Sequence, residues 1–284
     1  MLDSYGVHLR MLRLDQLHPQ VSGNKWFKLR LNLQAAREQG YTRLLSFGGA
    51  YSNHLYAMAA AAKLFDFEAV AVIRGELVEP LNSTLQFLQD QGVVLHSVSR
   101  SDYRRRYNED YLRALLRQYP GSYVIPEGGS NALGVRGCMD IPQSFQWQQE
   151  TLPRKRIVAV ACGTGATLAG LVAAQEGDYR VLGFSALKGG QFLQQDVLKH
   201  IEAAGEQEHH DWRIDFEAHG RGYGKSDSDL ERFIDDFAHR NEVLLDQVYT
   251  AKMMRRLYAL IKQGQIEVGS EIIAIHTGGL REMW

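Results

Sequence analysis

The chain has 284 residues, enough for one large unit or two modest ones, and its 45% hydrophobic and 23% charged content describes a globular protein. A formal net charge of −1 removes the electrostatic case for nucleic acid or an anionic membrane as partner. Cys138 and Cys162 are too few for a secreted disulfide framework and lack metal-ligand spacing, and neither a leader pattern nor a membrane-length apolar run is visible, so the cytoplasm is the expected location.

Residues 7–12 alternate as an edge strand. The stretch Ser22-Gly23-Asn24-Lys25-Trp26-Phe27-Lys28-Leu29 then brings a lysine to the first turn of a helix that runs to about Gln39 and stops at Gly40. A lysine suits the end of a helix, where it complements the negative pole; at the first turn its ammonium form is disfavoured. Apolar neighbours such as Trp26 and Phe27 are expected to push it further toward the neutral amine. That amine is the nucleophile that Schiff-base chemistry with an aldehyde requires. An exposed lysine without a role is the plain alternative.

A rhythm follows. Residues 43–47, 69–73, 93–95 and 123–125 read as strands, separated by helices over about 52–65, 81–91 and 103–118. Strands alternating with helices of this length predict a parallel sheet covered on both faces. The basic run Arg104-Arg105-Arg106 is short and is followed by Glu109 and Asp110, which reads as a solvated helix face. After Glu127-Gly128-Gly129-Ser130 a helix is expected to about Glu150, then the clearest central strand at 157–161, another helix, and a strand at 180–184. Residues 185–226 are the least readable, with charged helix-like pieces and a glycine-rich loop at 219–224. Helices over 228–241 and 250–263 and a last strand at 271–275 complete the pattern.

In open α/β sheets a ligand sits beyond the carboxyl ends of the strands. Gly163-Thr164-Gly165-Ala166-Thr167 opens a helix directly after the central strand, and its small residues, helix dipole and two hydroxyls suit a phosphate monoester. It lacks the Lys-Ser/Thr pair of a P-loop and the spacing of a dinucleotide fingerprint; a tight turn without a ligand remains open. Gly48-Gly49-Ala50-Tyr51-Ser52-Asn53-His54 follows the strand at 43–47. Ser52 can simply cap the next helix, but Asn53 and His54 add directional hydrogen-bonding groups. His276-Thr277-Gly278-Gly279 follows the last strand, where Thr277 can donate to a heteroaromatic nitrogen. Tyr223, among glycines, and Tyr249-Thr250 complete the set; a phenol near a cation can serve as acid or base, or can merely pack. A lysine nucleophile, a phosphate cradle and a donor for a ring nitrogen together describe pyridoxal 5′-phosphate (PLP).

These motifs, in this order from about Ser22 to Gly279, resemble the 1-aminocyclopropane-1-carboxylate deaminase and D-cysteine desulfhydrase family of fold type II, tryptophan synthase β-like PLP enzymes. The resemblance implies an α/β fold of two open, mainly parallel twisted sheets flanked by helices. It also implies a small domain over 31–130, a large PLP-binding domain over 1–30 and 131–284, and a homodimer acting on a small amino acid. Lys25 would carry PLP as a Schiff base, Asn53 would bond the 3′-oxygen, and Gly163, Thr164, Gly165, Ala166 and Thr167 would hold the phosphate. Ser52 would contact the substrate carboxylate or assist proton transfer, with Tyr223 and Tyr249 as the two active-site tyrosines. Thr250 and Thr277 stand where cyclopropane deaminases typically carry Glu and Leu, as in the desulfhydrase branch. A weaker electron sink of this kind suffices when an α-proton is lost and a good leaving group departs, so β-elimination from D-cysteine is expected. Cyclopropane deamination, D-serine dehydration, a non-catalytic PLP carrier and a nucleotide-binding domain are the alternatives. The family pattern often has Arg at Phe27 and Gly at Ala251, and Arg221 and Lys225 flank the tyrosine loop, departures that bear on substrate.

Overall fold

The two most continuous apolar runs become interior strands of two separate parallel sheets, the environment such runs require. The computed structural model describes residues 5–147, 155–175, 179–209 and 211–280. One sheet holds β1 (His8–Arg13), β6 (Arg156–Cys162), β7 (Tyr179–Ser185), β8 (Trp212–Asp215) and β9 (Glu271–His276), in the order β1-β9-β6-β7-β8. The other holds β2 (Arg43–Gly48), β3 (Glu68–Arg74), β4 (Val94–Val98) and β5 (Ser122–Ile125), in the order β4-β3-β2-β5. Every pairing is parallel. This is the expected fold class.

Both sheets are covered on two faces. Along β6, Val158 and Val160 enter a core shared with α7 (Ala166–Ala173) and α8 (Leu193–Ala203). Ile157, Ala159 and Ala161 enter the opposite core with α9 (Ser228–Asn241) and α10 (Thr250–Lys262), the two-residue period of a pleated strand. The second sheet buries α2 (Asn53–Leu64) and α3 (Ser83–Asp90) on one face. Leu115 of α5 (Glu109–Gln118) packs on Phe47, Val70 and Val72 on the other. The alanine run of α2 lets that helix lie close to β2 and β3, with Ala57 to Ala62 all buried.

The helix α1 (Asn24–Glu38) joins the two halves. Its Leu29 and Leu33 enter the core of the second sheet. Its first turn packs on α6 (Ala132–Cys138), so closely that a Cβ at Gly137 would stand 1.9 Å from the Phe27 carbonyl oxygen. Gly23, which precedes α1 at φ 67°, is equally constrained: a Cβ there would stand 1.9 Å from the Thr277 carbonyl oxygen.

Three expectations are corrected. The helix expected over 103–118 is two helices, α4 (Arg100–Tyr103) and α5, because Ser99 and Asn108 each cap a separate start. The basic run between them is a turn and not a helix face; Arg104 and Arg105 are exposed as expected, whereas Arg106 stacks on Tyr103 and Tyr107 and pairs with Glu127 at 2.8 Å. The helix expected to about Glu150 stops at Cys138 and gives way to a 3-10 turn at Ile141–Ser144 containing Pro142, whose missing N–H favours helix starts over interiors; residues 148–150 lie outside the described residues. Within 185–226 the chain forms α8, β8 and short 3-10 turns. No helix among the described residues is long and apolar enough to cross a membrane.

Candidate active site

Loops that leave the carboxyl ends of β2, β5, β6 and β9 line one cleft, together with the first turn of α1. Lys25 is the second residue of that turn, and its Nζ donates to Asn24 Oδ1 at 2.7 Å. Asn24 Nδ2 donates in turn to Thr167 Oγ1 at 2.8 Å, which links the amine to the loop that opens α7. The expected apolar setting of the amine is not found. Trp26 stacks on Phe65, Phe27 packs on the core of the first sheet, and the cleft beside Lys25 presents Asn24, Asn53 and Thr277.

One turn further along α1, Lys28 is only 3% exposed. Its Nζ donates to the Gly128 carbonyl oxygen at 3.0 Å and to Thr164 Oγ1 at 3.5 Å. Burial pushes its pKa below the ordinary lysine value, and no carboxylate pairs with it among the described residues. Thr164 Oγ1 also accepts from Ser130 Oγ at 2.6 Å, and the Thr164 carbonyl accepts from His200 Nε2 at 3.0 Å. Gly165 caps α7 at φ 83°, the left-handed region open to glycine. A hydroxyl, a buried cation and the free amides of a helix start thus converge on one point.

Across the cleft, Tyr249 lies against Gly163, where a Cβ would come within 3.0 Å of its ring. Tyr249 Oη and Tyr223 Oη are 3.0 Å apart. Burial raises the Tyr249 pKa well above that of a free phenol, so it stays neutral. Thr250, fully buried as the first residue of α10, has a hydroxyl that makes no hydrogen bond of good geometry but lies beside the Asp246 carboxylate, whose charged form it favours. Asp246 beside it accepts the Tyr249 and Thr250 amides, one on each carboxylate oxygen, at 3.0 and 2.7 Å. Burial pushes this carboxyl up, and those amides favour its charged form. His276 is buried behind the last loop, donating from Nε2 to the Leu244 carbonyl at 2.8 Å and accepting the Gly278 amide on Nδ1.

The structure therefore brings Lys25, Asn53, Gly163, Thr164, Gly165, Thr167, Tyr249 and Thr277 to one cleft. Tyr223 stands at its rim, half exposed; Ala166 is buried in the first turn of α7; Thr250 lies behind Tyr249. Ser52 is the N-cap of α2, accepting the Leu55 amide at 3.2 Å, and is not part of the cleft wall. His54 turns inward, its Nε2 2.8 Å from Ser46 Oγ, and offers nothing to the cleft. The sequence motifs contain Asn24, Lys28 and Ser130 without assigning them a role, and they do not reach His200 or Asp246. The spacing of Lys28, three residues after Lys25 and so on the same helix face, was the available signal.

These donors fit the cofactor that the sequence motifs imply. A buried lysine without a counter-anion, beside the open amides of α7, calls for a phosphate. Among the described residues no group of three His, Cys, Asp or Glu side chains can cage a metal ion.

The sequence profile of the pyridoxal-phosphate dependent enzyme family matches residues 3–278. A Thermotoga maritima protein named a putative 1-aminocyclopropane-1-carboxylate deaminase is 30% identical, over 98% of this chain and 90% of its own length. A mitochondrial protein of Arabidopsis thaliana, named a bifunctional D-cysteine desulfhydrase/1-aminocyclopropane-1-carboxylate deaminase, is 28% identical over 97% of this chain and 73% of its own. Among solved structures, one described as an ACC deaminase homologue superposes with a TM-score of 0.81 at 27% identity, covering 98% of this chain and 86% of that one.

Proposed function

Because the chain belongs to the pyridoxal-phosphate dependent enzyme family, in its 1-aminocyclopropane-1-carboxylate deaminase and D-cysteine desulfhydrase branch, with PLP as cofactor, we propose that it eliminates sulfide from D-cysteine. The overall change is D-cysteine plus water to pyruvate, hydrogen sulfide and ammonia. The observation that carries this reading is Thr250: a buried neutral hydroxyl, with the nearby Asp246 carboxylate committed to two backbone amides.

When bound, PLP supplies an electron sink for the charge left at the substrate's α-carbon. Lys28, Thr164 and the amides of residues 163–167 would hold its phosphate, Asn53 its 3′-oxygen, and Thr250 and Thr277 its ring nitrogen side. Lys25 would bond its aldehyde carbon and, once displaced by the substrate amine, take the α-proton. Asn24 keeps that amine oriented through its own bond to Thr167. Tyr249, neutral and paired with Tyr223, would give a proton to the departing sulfur. Neutral hydroxyls make a weaker sink than a carboxylate-paired ring, and that suffices when an α-proton is available and thiolate leaves.

Ring opening of 1-aminocyclopropane-1-carboxylate is the second reading, supported by the names of the relatives, one of them bifunctional. The division into residues 31–130 and residues 1–30 with 131–284, a homodimer and a cytoplasmic location belong to the same proposal. The first of these is supported by the two sheets, each drawn from one of the two sets of residues.

The test is to incubate the PLP-loaded protein with D-cysteine, L-cysteine, D-serine and 1-aminocyclopropane-1-carboxylate and to assay sulfide and the 2-oxo acid. Sulfide and pyruvate from D-cysteine, abolished in Lys25→Ala, support the reading. A yellow protein that yields product only from the cyclopropane substrate selects the second reading. A yellow protein inert to all four overturns both.

A further inference from the structure

Lys252, the third residue of α10, is 2% exposed, and nothing in the reaction outlined above uses it. Its Nζ donates to the Gly222 carbonyl oxygen at 2.6 Å. Burying an ammonium is costly, and a carbonyl alone is weak repayment. The carboxylates nearby are engaged elsewhere: Asp227 with Arg255 at 2.9 Å and with the Leu230 amide, Asp246 with the amides of Tyr249 and Thr250. What the charge holds is therefore the Gly222 carbonyl.

That carbonyl belongs to a soft piece of chain. Gly220, Gly222 and Gly224 all sit at positive φ, 60°, 117° and 66°, so the backbone on both sides of Tyr223 has little stiffness of its own. The bonds from Gly222 N to His219 O and from Lys225 N to Gly222 O close the turn on itself. Lys252 ties it to a packed helix. Tyr223 is half exposed, and its hydroxyl meets Tyr249 Oη at 3.0 Å. Tyr249 is the N-cap of α10 and Lys252 its third residue. One helical turn sets both the fixed phenol and the anchor of the loop that brings the other.

We propose that Lys252 is a positioning residue, which through the Gly222 carbonyl keeps the Tyr223 hydroxyl on Tyr249 during proton transfer. The proposal rests on the role given above to the tyrosine pair. Its physical content is narrower than a contribution to folding: the tether acts on residues 219–225 and on the rate, and leaves cofactor capture alone.

The test uses Lys252→Met in the full-length, PLP-loaded protein. Amide hydrogen exchange over 219–225 is expected to speed up by about tenfold or more while the strands of both sheets keep their protection. With D-cysteine, kcat is expected to fall by about tenfold, with KM within about twofold and the visible absorption retained. Combining Lys252→Met with Tyr223→Phe should be no slower than the slower single variant, because both remove the same act. Unchanged exchange over 219–225, or rate losses that multiply, overturns the proposal. If Lys252→Met does not fold, Lys252→Gln replaces it, since the amide retains a donor; the same loosening and rate loss, smaller in size, are then expected, and none overturns the proposal. If wild-type protein turns over none of the four substrates, the reaction is misassigned, while the exchange measurement still decides whether Lys252 is the tether.

Discussion

Lys28 and Gly128 are 100 positions apart, yet the Lys28 ammonium donates to the Gly128 carbonyl oxygen at 3.0 Å. This bond joins the second turn of α1 to the loop after β5, and it leaves the rest of the ammonium directed at Thr164. In the protein without cofactor, then, a buried positive charge rests on neutral oxygens alone.

Removing that charge should separate cofactor affinity from stability. Lys28→Met is expected to weaken PLP binding by about 10- to 150-fold, the range for losing a charge-assisted hydrogen bond. The cofactor-free variant should be no less stable than the wild type, since a buried unpaired ammonium is itself costly. Fluorescence titration with PLP and thermal melts without it measure the two quantities; undiminished affinity would remove Lys28 from the phosphate site.

Thr250 should show the same opposition on a smaller scale. Its hydroxyl is buried beside Asp246 without a hydrogen bond of good geometry, so Thr250→Val is expected to change the stability of the cofactor-free protein by no more than about 1 kcal/mol. Turnover of D-cysteine should fall by roughly tenfold, the cost of one lost polar contact in the reacting complex. A valine variant with full activity would sink the assignment of Thr250 to the ring nitrogen.

His54 gives a prediction about pH. Burial, and then Lys25 and Lys28, hold its pKa well below the ordinary histidine value. Ser46 Oγ donates to the Ile125 carbonyl at 2.6 Å, so His54 Nε2 must be the donor to Ser46, in keeping with a neutral ring. Below about pH 6.5 the unfolded chain takes up a proton that the folded chain refuses, so stability falls as pH falls, by about 1.4 kcal/mol per unit until the depressed folded pKa is reached. Urea denaturation of wild type and His54→Gln from pH 7 downward should therefore show the steeper acid loss in the wild type. Parallel slopes in the two proteins would contradict the assignment.

The interior strands were legible because they are buried on both faces and read as unbroken apolar runs; 69–73 and 157–161 need no further context. β8 was not, because Trp212–Asp215 is a four-residue strand at a sheet edge, where alternation has no length in which to show. The break between α4 and α5 was written in Ser99 and Asn108, yet the continuous polarity between them reads equally well as a helix surface. In the cleft, glycines and small polar residues after strands were readable because backbone approach to a ligand demands them. Lys28, Asp246 and Lys252 were harder, since a lysine on a helix or an aspartate in a loop reads as solvated until the fold buries it.

The pairing of β1 with β9 carries a consequence for how the protein is made. Among the described residues β1 is an edge strand whose sole neighbour is β9, and Arg10 of one pairs with Glu271 of the other. Gly23, just ahead of the site lysine, is seated on the carbonyl of Thr277. A growing polypeptide can finish the second sheet from residues 43–125, all contiguous, while the first still waits for β9. The earliest part of the cleft to be synthesised is thus among the last to find its place, and a chain truncated before residue 271 would retain a folded half and no catalytic pocket.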